Sequence, residues 1–167
     1  MSHGNRKYVV THIIQQLTLG GAARALVATS KYSSQKGPFT HKVISLVPPT
    51  DDGRELATSN GVEVLVGLSR TEIKSVLERS DIVHINWWNN PQVQKLLRSD
   101  LPKMRTLVWY HVAGDHAPQL ITPSIAGFAD INIATNPYTY RSNEALSPFM
   151  DRSDHSKLRM IVDPADL

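Results

Sequence analysis

The order of apolar segments predicts an α/β fold: a Rossmann-like, doubly wound, mostly parallel sheet of six or seven strands with helices on both faces. Three observations carry this expectation. Short strand-like runs alternate with helix-like patterns along all 167 residues, the arrangement that builds a layered α/β domain. Several runs are nearly continuous in apolar residues, such as Ile82-Val83-His84-Ile85 and Leu107-Val108-Trp109-Tyr110, as strands covered on both faces require. The first strand then runs into a glycine pair that opens a helix, and the first strand–helix turn is where such sheets place a ligand crevice.

The elements follow in order. Tyr8-Val9-Val10-Thr11-His12-Ile13-Ile14 is the first strand, and an alanine-rich helix over residues 22–34 follows Gly20-Gly21. A slim helix of this kind lets its backbone sit close to the sheet. Further strands are expected at 41–47, 62–66, 81–87, 106–112 and 130–134, and a last apolar run covers 158–162. Ser69-Arg70-Thr71-Glu72 is a capping box, with Ile73, Val76 and Leu77 at i, i+3, i+4 spacing behind it. Asn90-Pro91 puts a capping side chain before proline at the first helical position, and Val93, Leu96 and Leu97 supply the buried stripe. The expected domain spans residues 1–156, and residues 157–167 read as the start of a linker or second domain whose remainder is absent.

Composition narrows the function classes. The chain is 41% apolar and 20% charged with a formal charge of +3, a normal globular mixture large enough to bury about 70% of its unfolded surface. No apolar run approaches the roughly 20 residues needed to span a bilayer. The absence of cysteine removes any disulfide argument for secretion, so the cytoplasm is the expected compartment. Lysines and arginines are scattered without a block of five, which argues against a nucleic-acid groove and leaves an anionic small molecule or a membrane headgroup compatible.

Chemistry is expected at the carboxyl ends of the strands. Gly20 and Gly21 open the first helix, so free backbone N–H groups and the positive dipole end face the crevice, suited to a phosphate or sugar. A plain tight turn is the competing reading. There is no G-x-G-x-x-G and no acidic residue ending the second strand, so a dinucleotide site is poorly supported. His111 ends the fifth strand, where an imidazole can move a proton or hydrogen-bond a hydroxyl; the alternative is a histidine packed under a loop. Asp115 and His116 follow it, but three ligands crowded into one loop match no standard zinc spacing, and no metal or other cofactor is expected. Trp87-Trp88-Asn89-Asn90 offers one indole as a flat platform for a sugar ring or lipid with Asn89 as a hydrogen-bonding partner, since neighbouring strand residues point to opposite faces. Both indoles could instead pack against helices. Asn136 lies after the sixth strand, again at a carboxyl end. His12, His41 and His84 read as structural. No G-x-S-x-G elbow, P-loop or H-E-x-x-H is present.

At these residues the chain resembles a family. His12-Ile13-Ile14 … Leu19-Gly20-Gly21-Ala22-Ala23-Arg24 looks like the opening of the amino-terminal half of retaining glycosyltransferases of family 4, which have the GT-B fold and usually open with a strand and Gly-Gly-x-Glu-Arg. Gly61-Val62-Glu63-Val64 resembles the family's third strand, and Asp81-Ile82-Val83-His84-Ile85 its aspartate-(valine/isoleucine)-valine-histidine strand. Tyr110-His111 resembles the strand-end histidine that approaches the acceptor. Ala129-Asp130-Ile131-Asn132-Ile133-Ala134 resembles the strand before the crossing to the second domain, and residues 157–167 the strand and turn that begin it. The resemblance covers nearly the whole chain in order. Ala23 departs from it where the family has an acidic residue, and Ala165 where it has a branched one. The resemblance implies the acceptor-binding half of an enzyme moving a sugar, with retention, from a nucleotide-sugar donor to a glycan or lipid-linked acceptor. It implies His111 as the catalytic residue and peripheral association with the inner face of the membrane. It also implies inactivity of this half alone, because the donor-binding half is absent. The rival expectation is a non-catalytic flavodoxin-like module that binds a sugar or small phosphorylated ligand.

Overall fold

The computed structural model describes residues 6–150 and 156–162. Seven strands form one sheet: β1 (Tyr8–Ile14), β2 (Phe39–Ser45), β3 (Glu63–Val66), β4 (Ile82–Asn86), β5 (Thr106–Tyr110), β6 (Ile131–Ala134) and β7 (Leu158–Met160). Every pairing is parallel, in the order β3-β2-β1-β4-β5-β6-β7. The chain winds outward from β1 to β3, returns to β4 beside β1, and winds outward again to β7. With right-handed crossovers this order puts the early helices on one face and the later ones on the other.

The helices are α1 (Gly21–Lys36), α2 (Asp51–Ser59), α3 (Arg70–Glu78), α4 (Pro91–Leu97), α5 (Pro123–Phe128) and α6 (Pro137–Ser142). On one face α1 and α2 pack Ala23, Leu26, Val27 and Ala57 against Ile14 and Val43. On the other, α3, α4 and α5 bury Ile73, Leu77, Val93, Leu96 and Ile125 against Ile13, Ile44, Val83, Ile85 and Val108. The doubly wound α/β architecture read from the sequence is therefore the one observed. The strands are shorter at their ends than the apolar runs, because β4 and β5 stop at Asn86 and Tyr110 where loops take over.

The capping box at Ser69 forms as expected, with the hydroxyl accepting from Glu72 N at 3.3 Å and Glu72 Oε2 accepting from Ser69 N at 2.7 Å. The expected cap at Asn90 does not form: its side chain makes no capping hydrogen bond. Instead Gln15 Oε1, reaching over from the end of β1, accepts from Gln92 N at 3.0 Å. Residues 158–160, the last apolar run of the sequence and read with 157–167 as the start of a linker or second domain, pair with β6 as the seventh strand of this sheet. The turn expected at 163–167 lies outside the described residues.

His12, His41 and His84 form a buried row under α1, as their structural reading requires. His12 Nε2 and His41 Nδ1 are 2.9 Å apart, and Ser30 Oγ lies 3.2 Å from His12 Nε2. Burial lowers all three pKa values, with like-charge repulsion from His84 and then His41 adding at His12. His41 falls to about 4 and His84 to about 3. All three are neutral at physiological pH, which is how a domain hides imidazoles without paired charges.

Candidate functional site

The crevice forms where the strand order reverses, between the carboxyl ends of β1 and β4. This is the switch point at which open α/β sheets bind ligands. The loop after β1 is fixed from below. Leu46 N and Val47 N donate to Ile14 O and Gln15 O, Thr50 N donates to Leu17 O, and Ser45 Oγ accepts from Leu17 N. Gly53 at the start of α2 lets that helix rest directly on the loop; a Cβ there would lie 2.5 Å from Leu17 O and 2.8 Å from Thr18 Cα. The wall that carries Gln15, Gln16 and Thr18 is thereby rigid.

The opposite wall is α4 and the turn before it. Trp87 has φ +59, a left-handed conformation that costs a bulky residue on the order of 1–3 kcal/mol. The turn closes through Asn90 N donating to Trp87 O at 3.3 Å. The indole becomes half-buried and lines a crevice of about 270 Å³ together with Gln15, Thr18, Gly20, Gly21 and Asn90. No acidic residue occupies the first turn of α1, and Gly20, its N-cap, accepts nothing through a side chain. The positive end of a 16-residue helix thus opens on the crevice beside an aromatic face and several amides. No lining residue carries a charge. An aromatic plane with neutral donors and acceptors suits polyhydroxylated rings, and the helix end suits an anionic group.

Gly20, Gly21 and Trp87 therefore share one crevice. His111 adjoins it: its ring is 6.3 Å from that of Trp87 at an interplanar angle of 29°, and 4.8 Å from that of Trp109. The remaining expected site residues lie elsewhere. Trp88 is 1% exposed and belongs to the core, where its indole meets Tyr110 edge-on at 4.7 Å and donates to Leu120 O at 3.3 Å. The left-handed turn at Trp87, just past the end of β4, sends the two indoles to different environments, and only Trp87 reaches the crevice. Asn89 donates to Pro118 O at 2.8 Å and lines a separate groove between α4 and α5. Asp115 is exposed and accepts from Tyr138 Oη at 2.9 Å; its pairing with His116 at 2.7 Å and then the Tyr138 bond hold its carboxyl below the usual range. Asn136 caps α6, accepting from Thr139 N at 2.8 Å.

Gln15, Gln16 and Thr18 lie at the carboxyl end of the first strand, where chemistry is expected, but are not among the site residues named from sequence, and Asn90 is read there as a helix cap. Their signal in the sequence is the polar character of a strand-to-helix loop. A larger groove of about 580 Å³ lies beside α1, lined by Tyr32, Phe39, Leu107, Trp109 and Ile161. Its walls are mostly apolar but include His12, His41 and His84 with Ser33 and Lys36, and it shares no lining residue with the crevice. No helix among the described residues is long and apolar enough to cross a membrane. Comparison with known proteins finds no match: no family model, no curated protein and no solved structure is significantly similar to the chain.

Proposed function

We propose that this domain is the acceptor-side half of a retaining, GT-B-type glycosyltransferase, holding a sugar ring of a glycan or lipid-linked acceptor in the crevice between β1 and β4. The observation that carries the reading is the left-handed Trp87, whose strained backbone presents an indole beside the open amino end of α1. Strain of this kind persists where the surrounding structure enforces it, and it concentrates at binding sites. Pyranose rings stack their C–H faces on indoles, while neutral amides pair with hydroxyls.

In this proposal the nucleotide-sugar donor is held mainly by a second α/β domain, and its phosphates approach the crevice from the side of Gly20 and Gly21. His111, next to the Trp87 ring, supplies the hydrogen bond or proton at the reacting centre. The domain by itself folds but turns nothing over. It works in the cytoplasm, with peripheral contact to the inner face of the membrane where the acceptor is lipid-linked. The family resemblance along the chain and the uncharged, aromatic crevice support this reading together.

A phosphorylated small ligand in a non-catalytic module is the second reading, favoured by the unopposed positive end of α1. Saturation-transfer NMR separates the two. Methyl glycosides and nucleotide sugars are presented to the wild-type chain and to Trp87→Ala, alongside glucose 6-phosphate and inorganic phosphate. The proposal expects saturation transfer to the glycosides that disappears in the variant. Transfer to the phosphorylated probes alone, unchanged by Trp87→Ala, would establish the second reading instead.

A further inference from the structure

We infer that Asn90 reads the hydroxyl pattern of the sugar on Trp87, and that Gln15 is the residue that frees it to do so. The inference rests on the saccharide reading of the crevice and names a recognition group within it. Asparagine directly before a proline at the first helical position ordinarily spends its side chain on the helix's own N–H groups. Asn90 occupies that position with extended backbone, φ −68 and ψ 139, yet makes no capping bond. The N–H it would otherwise satisfy, Gln92 N, is taken by Gln15 Oε1 from across the crevice at 3.0 Å. One residue has taken over the work of another.

The consequence is chemical. Among the crevice amides, Gln15 is committed through its oxygen to α4, and Gln16 donates through Nε2 to Pro48 O at 2.9 Å. Thr18 Oγ1 accepts from Gly20 N at 3.1 Å. Asn90 alone in this set has both its donor and its acceptor uncommitted, and it lines the crevice with Trp87. A carboxamide presenting Nδ2–H and Oδ1 side by side can donate to one hydroxyl and accept from its neighbour. Beside an aromatic face this is the chemistry that separates hexose epimers, because an epimer with one hydroxyl inverted leaves one of the two bonds unmade. The Trp87–Asn90 turn fixes the amide relative to the ring: Asn90 N donates to Trp87 O at 3.3 Å.

The test combines thermal melts with saturation-transfer NMR on wild type, Asn90→Ala, Gln15→Ala, Gln15→Glu and Trp87→Ala. The probes are methyl α-glucopyranoside and methyl α-galactopyranoside. Asn90→Ala should shift the melting temperature by less than about 1 °C. Gln15→Ala should lower it by about 2–4 °C, as loss of a helix cap does in a domain of this size, and Gln15→Glu should restore it. Asn90→Ala should also weaken binding of the preferred glycoside about ten- to a hundredfold, the equivalent of its two lost hydrogen bonds, and erase the preference between the two epimers. Asn90→Ala melting as low as Gln15→Ala would make Asn90 an ordinary cap and overturn the inference. Glycoside binding that is abolished by Trp87→Ala but unchanged in Asn90→Ala would overturn it while leaving the saccharide reading intact. A folded wild-type chain that binds neither glycoside would remove both.

Discussion

Acidification should unfold this domain through its buried histidines at a pH where its carboxylates are still ionised. His12, His41 and His84 are 1%, 9% and 4% exposed, and burial holds each pKa below the ordinary 6.5, to about 4 for His41 and about 3 for His84. A base whose folded pKa is depressed is protonated in the unfolded chain before it is protonated in the native one. Its contribution to stability is therefore complete above pH 6.5 and is lost as the pH falls toward the folded value. Between pH 7.5 and 5, integrating one such site costs about 2 kcal/mol, and three sites set a ceiling of about 6 kcal/mol. That is comparable to the total stability of a typical domain, about 5–15 kcal/mol. Asp81, Asp100 and Asp115 have carboxyl pKa values held below 3.8 and Glu72 below 4.5, so their contributions fade only below this window. Urea unfolding followed by circular dichroism at pH 7.5, 6.5, 5.5 and 5.0 gives the slope directly. A loss of several kcal/mol concentrated below pH 6.5 is expected. Stability constant to within about 1 kcal/mol down to pH 5 would show that the histidine row is solvated or already protonated in the fold, and the packing account would fail.

Three substitutions probe the crevice. Trp87→Gly places the residue best suited to φ +59 at the strained position, so the relieved strain of about 1–3 kcal/mol should offset the lost indole contacts; glycoside binding should vanish while urea stability stays near wild type, whereas a large stability loss would show Trp87 to be core. Gly53→Ala introduces a Cβ 2.5 Å from Leu17 O and should destabilise by on the order of 2 kcal/mol or more through overpacking, measured by the same unfolding curves, and an unaffected variant would contradict the close seating of α2 on the crevice loop. In an enzyme that also carries the donor domain, His111→Ala should lower turnover by about 10²–10⁴-fold with little change in melting temperature; normal turnover in a destabilised protein would make His111 structural.

Much of the architecture was legible in the chain because the signals were local and redundant. Continuous apolar runs such as 82–85 and 107–110 announce strands covered on both faces, and Ser69 with Glu72 announces a helix start that the structure forms in full. The functional residues were harder. Trp87 and Trp88 are adjacent and chemically identical, and only the left-handed turn at Trp87, a property of the closed β4–α4 connection, decides which indole faces the crevice and which joins Tyr110 in the core. Asn90 looked like a helix cap from its neighbours, Pro91 above all. The residue that displaces it, Gln15, lies 77 positions before the Gln92 N–H that it accepts from, and local pattern carries no trace of a contact at that separation. Asn136 shows the reverse outcome: placed at a strand end like a site residue, it serves as the cap of α6. The polar character of the loop from Gln15 to Thr18 was visible, but its rigidity depends on α2 resting against it through Gly53, which is a tertiary fact.

The central claim is that this fold binds a saccharide in the crevice between β1 and β4, and amide chemical-shift mapping with an isotope-labelled chain tests it most directly. On titration with methyl α-glucopyranoside, the backbone amides of Gly20 to Ala23 and the Trp87 indole N–H should shift together along one saturable curve. The indoles of Trp88 and Trp109, both buried at 1–2% exposure, should move little. A curve confined to Tyr32, Leu107 and Ile161 in the apolar groove, or spectra unchanged up to high glycoside concentration, would contradict the claim.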